Sequence, residues 1–156
     1  FLHHFSFPSS NLTSQIFQET KSIMISPDKT LNLSFDSSMW IDSSGNFYFI
    51  RADEAHMYDP CKKRSSKIIH LPNTGFMNHD YSIWGDSVGK LYITDTSNHL
   101  IRTLNLNDPT APLVTVAGNG DETLPENGAV ATSTGIGLPF QIWVNGEGHF
   151  FFADYE

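Results

Sequence analysis

Two carboxylates recur in register along this chain. Asp95 and Asp154 each follow a glycine, Gly89 or Gly148, by six residues. Paired carboxylates are the usual equipment for general acid–base catalysis, provided their surroundings drive their pKa values apart. The common offset points elsewhere: a residue held at a fixed distance from a turn glycine does the same structural task in each copy. Here that task is a strand-end carboxylate accepting backbone N–H bonds. The other reactive side chains are scattered. His3 and His4 adjoin, and adjacent residues in a strand face opposite ways, which makes them a poor metal pair; His79 stands alone. Cys61 is the sole cysteine, so no intrachain disulfide framework and no cysteine-rich metal site is available. Ser133 lies in Ala-Thr-Ser-Thr-Gly and lacks the Gly-x-Ser-x-Gly elbow. Gly118-Asn119-Gly120 is not followed by a helical pattern, so it lacks the amides of a phosphate cradle. These residues predict no catalytic group, no metal and no cofactor.

The elements that must position such residues are repeated. Trp40-Ile-Asp42-Ser-Ser-Gly45-Asn-Phe-Tyr-Phe aligns without a gap on Trp84-Gly-Asp86-Ser-Val-Gly89-Lys-Leu-Tyr-Ile and on Trp143-Val-Asn145-Gly-Glu-Gly148-His-Phe-Phe-Phe, at spacings of 44 and 59 residues. The glycines supply the positive φ of a hairpin turn between a strand carrying the tryptophan and the strand that follows. β-Branched and aromatic runs dominate and helical periodicity is nearly absent, which predicts an all-β chain. Further strands are predicted at 22–27, 67–72 and 113–118. The first two are bounded by Pro27 and Pro72, which cannot donate to a ladder. The spacing is that of a four-stranded propeller blade of about 40–50 residues. A blade cannot bury its faces alone, and closure takes about 4–8 of them, so the chain reads as a piece of a longer polypeptide. Residues 1–21 carry no alignable motif and read as a lead-in or the remnant of a preceding blade; 22–156 is the repeat segment, with cores near 36–58, 80–104 and 139–156.

Lys and Arg number 9 against 17 Asp and Glu, a net charge of −8. That balance works against nucleic-acid binding, which depends on neutralising phosphates. The one basic cluster, Lys62-Lys63-Arg64 with Lys67, reads as a solvated turn. No apolar run approaches the ~20 residues of a membrane helix, so no membrane segment is expected in this piece. Two matches to the N-glycosylation acceptor pattern, at Asn11 and Asn32, tilt the setting slightly toward extracellular or cell-surface rather than cytoplasmic.

The stretch from Asp86 to Arg102 resembles the NHL repeat, a β-propeller family named for the Asn-His-Leu tripeptide found here as Asn98-His99-Leu100. Asp86, Gly89, Leu91, Tyr92, Asp95, Asn98, Ile101 and Arg102 occupy the motif positions, and the run Thr-Val-Ala-Gly at 115–118 resembles the family's long linker. The third copy matches through Asp154, while the first carries Arg51 where Asp95 falls and Glu54-Ala-His where the tripeptide falls. The resemblance implies a partial propeller of about three four-stranded blades out of six. Its repeat chemistry is carried by Trp40, Asp42, Gly45, Trp84, Asp86, Gly89, Asp95, Asn98, His99, Arg102, Trp143, Gly148 and Asp154. Some relatives of this kind are metal-dependent lyases with histidines five residues before the repeat Asp or Asn, but Ser37, Tyr81 and Phe140 stand there. The expected function is therefore a non-catalytic module that binds a protein or small ligand through rim loops and is joined by the missing blades of its own chain. Its predicted contacts are Tyr81 and Phe140 together with the acidic linker residues Asp121, Glu122 and Glu126. A metal-dependent lyase or hydrolase with ligands in the missing blades is the alternative, and an RNA-binding domain the third.

Overall fold

A computed structural model describes residues 22–26, 29–32, 38–51, 53–72, 81–123 and 125–155. The chain divides into two compact units, Phe1–Phe35 and Asp36–Glu156. In the first, β1 (Ser22–Ser26) pairs antiparallel with β2 (Lys29–Asn32). The sequence predicts β1 as a lone outer strand followed by a linker; the structure makes part of that linker a second strand, which Lys-Thr-Leu-Asn signals too weakly. The lead-in at 1–21 lies outside the described residues.

The second unit is built from antiparallel sheets. The first sheet has the order β3 (Met39–Ile41), β4 (Phe47–Arg51), β5 (Glu54–Asp59), β6 (Arg64–His70). The next is β7 (Ile83–Gly85), β8 (Lys90–Asp95), β9 (Leu100–Asn105), β10 (Val114–Ala117). A two-stranded sheet follows, β11 (Leu138–Val144) with β12 (Phe150–Tyr155). In both four-stranded sheets each strand pairs with its sequence neighbours, a meander in which the chain never crosses itself. The outer strands predicted at 67–72 and 113–118 appear as β6 and β10.

The three sheets of this unit stack face to face. Leu91 and Ile93 of β8 join Tyr48, Ile50, Ile83 and Leu104 in a core toward the first sheet. Tyr92, on the opposite face by strand alternation, joins Ile101, Ala117, Ile136, Ile142 and Val144 in a second core toward β11 and β12. β8 is thus buried on both faces, which explains why Leu-Tyr-Ile-Thr-Asp shows no polar alternation. Full burial of each such side chain stabilises the fold by about 1.5–3 kcal/mol, and no sheet could gain that alone.

The turns that follow β3, β7 and β11 are locked in the same way, by an Asp or Asn side chain. Asp42 Oδ1 accepts the backbone N–H groups of Ser44 and Asn46, both at 2.9 Å. Asp86 Oδ1 accepts those of Val88 (3.0 Å) and Lys90 (2.8 Å), and Asn145 Oδ1 those of Glu147 (3.0 Å) and His149 (2.9 Å). Gly45, Gly89 and Gly148 close these turns at φ of 82°, 88° and 84°.

Candidate functional site

The strand directions put the turns at 42–46, 86–90 and 145–149 on one rim, and the starts of β3, β7 and β11 on the other. At the start rim, a 3-10 turn (Thr96–Asn98) joins β8 to β9 and ends with His99 in the left-handed conformation. His99 Nδ1–H donates to the Gly137 carbonyl at 2.8 Å, and Nε2 lies 3.5 Å from Glu122 Oε1. These contacts draw the linker at 118–137 back onto the sheet. Ile136 plugs the second core, its N–H donates to the Asp121 carbonyl at 3.1 Å, and Gly118 N–H donates to the Ala131 carbonyl at 2.8 Å. The linker is thus a closed loop packed on its sheet, with Asp121, Glu122 and Glu126 exposed.

The residues expected to make rim contacts occupy different environments. Tyr81 is half-buried against the first core and its hydroxyl donates to the Pro72 carbonyl at 3.0 Å. Phe140 is 46% exposed because it is the extra residue of a bulge between Pro139 and Gln141, and a bulge turns its side chain out of the ladder. Phe140 and the acidic loop share a rim: Glu122 reaches His99, and His99 reaches Gly137 at the head of β11. Among the described residues no three His, Cys, Asp or Glu side chains group as a metal site; His3, His4, His79 and Ser37 lie outside them. No described helix is long and apolar enough to cross a membrane. Of the basic cluster, Lys62 is bound to Asp59 at 2.9 Å and Lys67 to Glu54 at 3.0 Å.

The opposite rim holds a cleft of about 530 Å³ between the first two sheets. Trp40, Tyr48, Trp84 and Leu106 give it apolar walls, and Asp42 and Asp86 bring carboxylates to it. Trp40 lies flat over Gly85, where any Cβ would strike the indole ring. The sequence signal for this cleft is the recurrence of Trp-x-Asp at 40–42 and 84–86; taken singly, each tryptophan reads only as core. No family model matches this chain, and a search of curated proteins returned no match. The reading of the cleft therefore rests on its own chemistry.

Tyr48 and Asp42 are coupled across it, the hydroxyl donating to Asp42 Oδ2 at 3.1 Å. Burial pushes the Asp42 carboxyl up, but hydrogen bonds from Asn46, Tyr48 and Ser44 outweigh it and hold the group below its ordinary 3.8. Burial, then the Asp42 charge, pushes Tyr48 from 10.0 up to about 12. A raised folded-state value means that the folded form keeps the phenol proton longer than the unfolded form does. The contribution of Tyr48 to stability is therefore complete below pH 10.0 and is lost as pH rises toward about 12. A tyrosinate absorbance titration, taken as the difference between the protein and its Tyr48→Phe variant, should show a midpoint near 12. Asp42→Asn should lower that midpoint, and an unchanged midpoint would contradict the coupling.

Proposed function

We propose that the chain is a non-catalytic binding module built of successive blades of an NHL-type β-propeller, and that the turn-rim cleft takes a cationic group. The propeller reading is supported by the four-stranded meander occurring twice, by the common turn lock at Asp42, Asp86 and Asn145, and by sheets stacked in chain order. The observation that carries the binding reading is the cleft itself, in which two indoles and a phenol stand beside two carboxylates. An ammonium or guanidinium group over an indole face gains about 0.5–2 kcal/mol. The carboxylates add charge attraction, and the net charge of −8 favours encounter with a cationic partner. The ligand class that fits is a lysine- or arginine-bearing peptide segment or a small alkylammonium.

Titrating the 156-residue chain with tetralysine and with tetraglutamate, followed by indole fluorescence at low ionic strength, tests the reading. Tetralysine should bind and tetraglutamate should not. The double variant Asp42→Asn, Asp86→Asn should weaken tetralysine binding at least tenfold. The fold should survive that change, because Asn145 already holds the equivalent turn with an amide oxygen. Equal response to the two peptides would overturn the proposal.

A further inference from the structure

A second cavity opens on the turn rim beside the first. β9 runs back antiparallel to β8, so the loop that follows it, 106–113, leaves the second sheet at that rim. Between this loop and the first sheet lies a hollow of about 290 Å³, walled by Met57, Ile68 and Ile69 on one side and by Leu104, Pro109 and Ala111 on the other. Its charged groups are already engaged. Lys67 Nζ donates to Glu54 Oε1 at 3.0 Å, and Asp108 Oδ1 accepts the backbone N–H and the hydroxyl of Thr110 at 2.9 and 2.7 Å. What remains of the lining is mostly apolar. Tyr48 and Leu106 line both this hollow and the turn-rim cleft, so the two cavities meet at one ridge. The ridge is fixed from both sheets. The Tyr48 hydroxyl donates to Asp42 Oδ2 at 3.1 Å, while Leu106 N–H donates to the Gly89 carbonyl at 2.8 Å and Asn107 Nδ2 to the Val88 carbonyl at 2.9 Å.

We propose that the two cavities form one site for a linear alkylammonium, whose charged head enters the cleft and whose hydrocarbon chain crosses the Tyr48–Leu106 ridge into the hollow. The inference rests on the reading of the cleft as a cation site and specifies what the cation is attached to. Small-molecule sites are mostly apolar, with a few polar groups that fix the orientation of the ligand. Here those groups, Asp42 and Asp86, stand at one end and the apolar walls at the other. A short cation leaves the hollow to water, whereas a chain that enters it gains about three- to fourfold in affinity for each methylene buried. Met57 suits such a chain, because its unbranched thioether adapts to the shape of what it packs against. A chain of the same length ending in a carboxylate brings its charge against Asp42 and Asp86 and is rejected.

Propylammonium, hexylammonium, hexanoate and hexanol are titrated against the intact 156-residue protein. Indole fluorescence reads the cleft, and the methyl NMR resonance of Met57, assigned with Met57→Leu, reads the hollow. Hexylammonium is expected to bind at least tenfold more tightly than propylammonium and to shift the Met57 methyl, which propylammonium leaves in place. Hexanoate is expected not to bind. Ala111→Phe, at a half-buried loop position, places a ring in the hollow and is expected to remove the advantage of hexylammonium while propylammonium binds as before. The comparison of ligands needs no change in the protein, so a folding defect in that variant leaves the main result readable. Equal affinity for the two ammonium ions, with the Met57 methyl unmoved, would overturn the extended site and leave the cleft reading standing. Absence of binding by both would overturn the cleft reading and this inference with it. Hexanol binding as tightly as hexylammonium would overturn the head-and-tail arrangement, because the hollow would then act without the carboxylates.

Discussion

Replacing Asp95 with alanine is expected to destabilise the fold by about 3–5 kcal/mol, the usual cost of leaving one partner of a buried ion pair behind. Asp95 is 1% exposed at the end of a strand buried on both faces. One carboxylate oxygen holds Arg102 and the other holds Asn98, so a single side chain ties the end of β8 to the 3-10 turn and to β9. Alanine leaves the Arg102 guanidinium, only 18% exposed, without its counter-charge. Against a total stability of about 5–15 kcal/mol for a domain, that loss is a large share. Urea unfolding monitored by indole fluorescence measures it. Arg102→Lys should also be costly, because an ammonium cannot reproduce the directed Nε–H contact. Replacing both partners by leucine should recover part of the loss by removing the stranded charge altogether. A change below about 1 kcal/mol in the Asp95→Ala protein would show that the pair is surface-like and screened.

The second large effect is expected at Gly85. The residue sits in β7 directly beneath the Trp40 indole, and a Cβ there would overlap the ring. Its backbone is not in the left-handed region, so the constraint is contact between sheets and not conformation. Valine at this position must push the indole away from the first core, with a cost of about 1–3 kcal/mol for overpacking, or more if the two sheets separate. The diagnostic is a cycle with Trp40→Ala. Because Trp40 is only partly buried and walls the cleft, that variant alone should lose less than the about 3–5 kcal/mol of a fully buried Trp→Ala change, and with the ring gone the valine should cost little. A coupling of 1 kcal/mol or more between the two positions is expected from residues in direct contact. Strict additivity in urea unfolding would mean that the indole and the glycine do not determine the sheet spacing.

Much of this architecture is legible along the sequence because its determinants are local. Asp or Asn, with glycine three residues later, specifies the turn after each tryptophan strand through hydrogen bonds two and four residues ahead, and the β-branched and aromatic runs after it specify the strands. β2 escapes such reading: four residues with one apolar side chain carry no period. Phe140 escapes it too, since a bulge depends on pairing with β12 and has no mark in the local pattern. The linker at 118–137 reads as a long acidic loop, yet its closure depends on His99 and Gly118, residues that belong to the preceding sheet and to the loop's first turn.

The three tryptophans show where local information stops. Their positions, cross-strand partners and turns are set by the repeated sequence, which by itself determines that each of the three sheets in the second unit begins with an indole beside an aromatic ring on the next strand. Only the tertiary structure decides what each indole does. Trp40 is pressed against Gly85 and walls the cleft, Trp84 lies between that cleft and the second core, and Trp143 is 48% exposed. Likewise Asp95 and Asp154 follow their glycines by the same six residues, yet one carboxylate is saturated and the other has a buried oxygen without a donor. Hydrogen bonds within a turn depend on residues a few positions apart, whereas the burial of a face and the pairing of an edge depend on which sheet lies alongside.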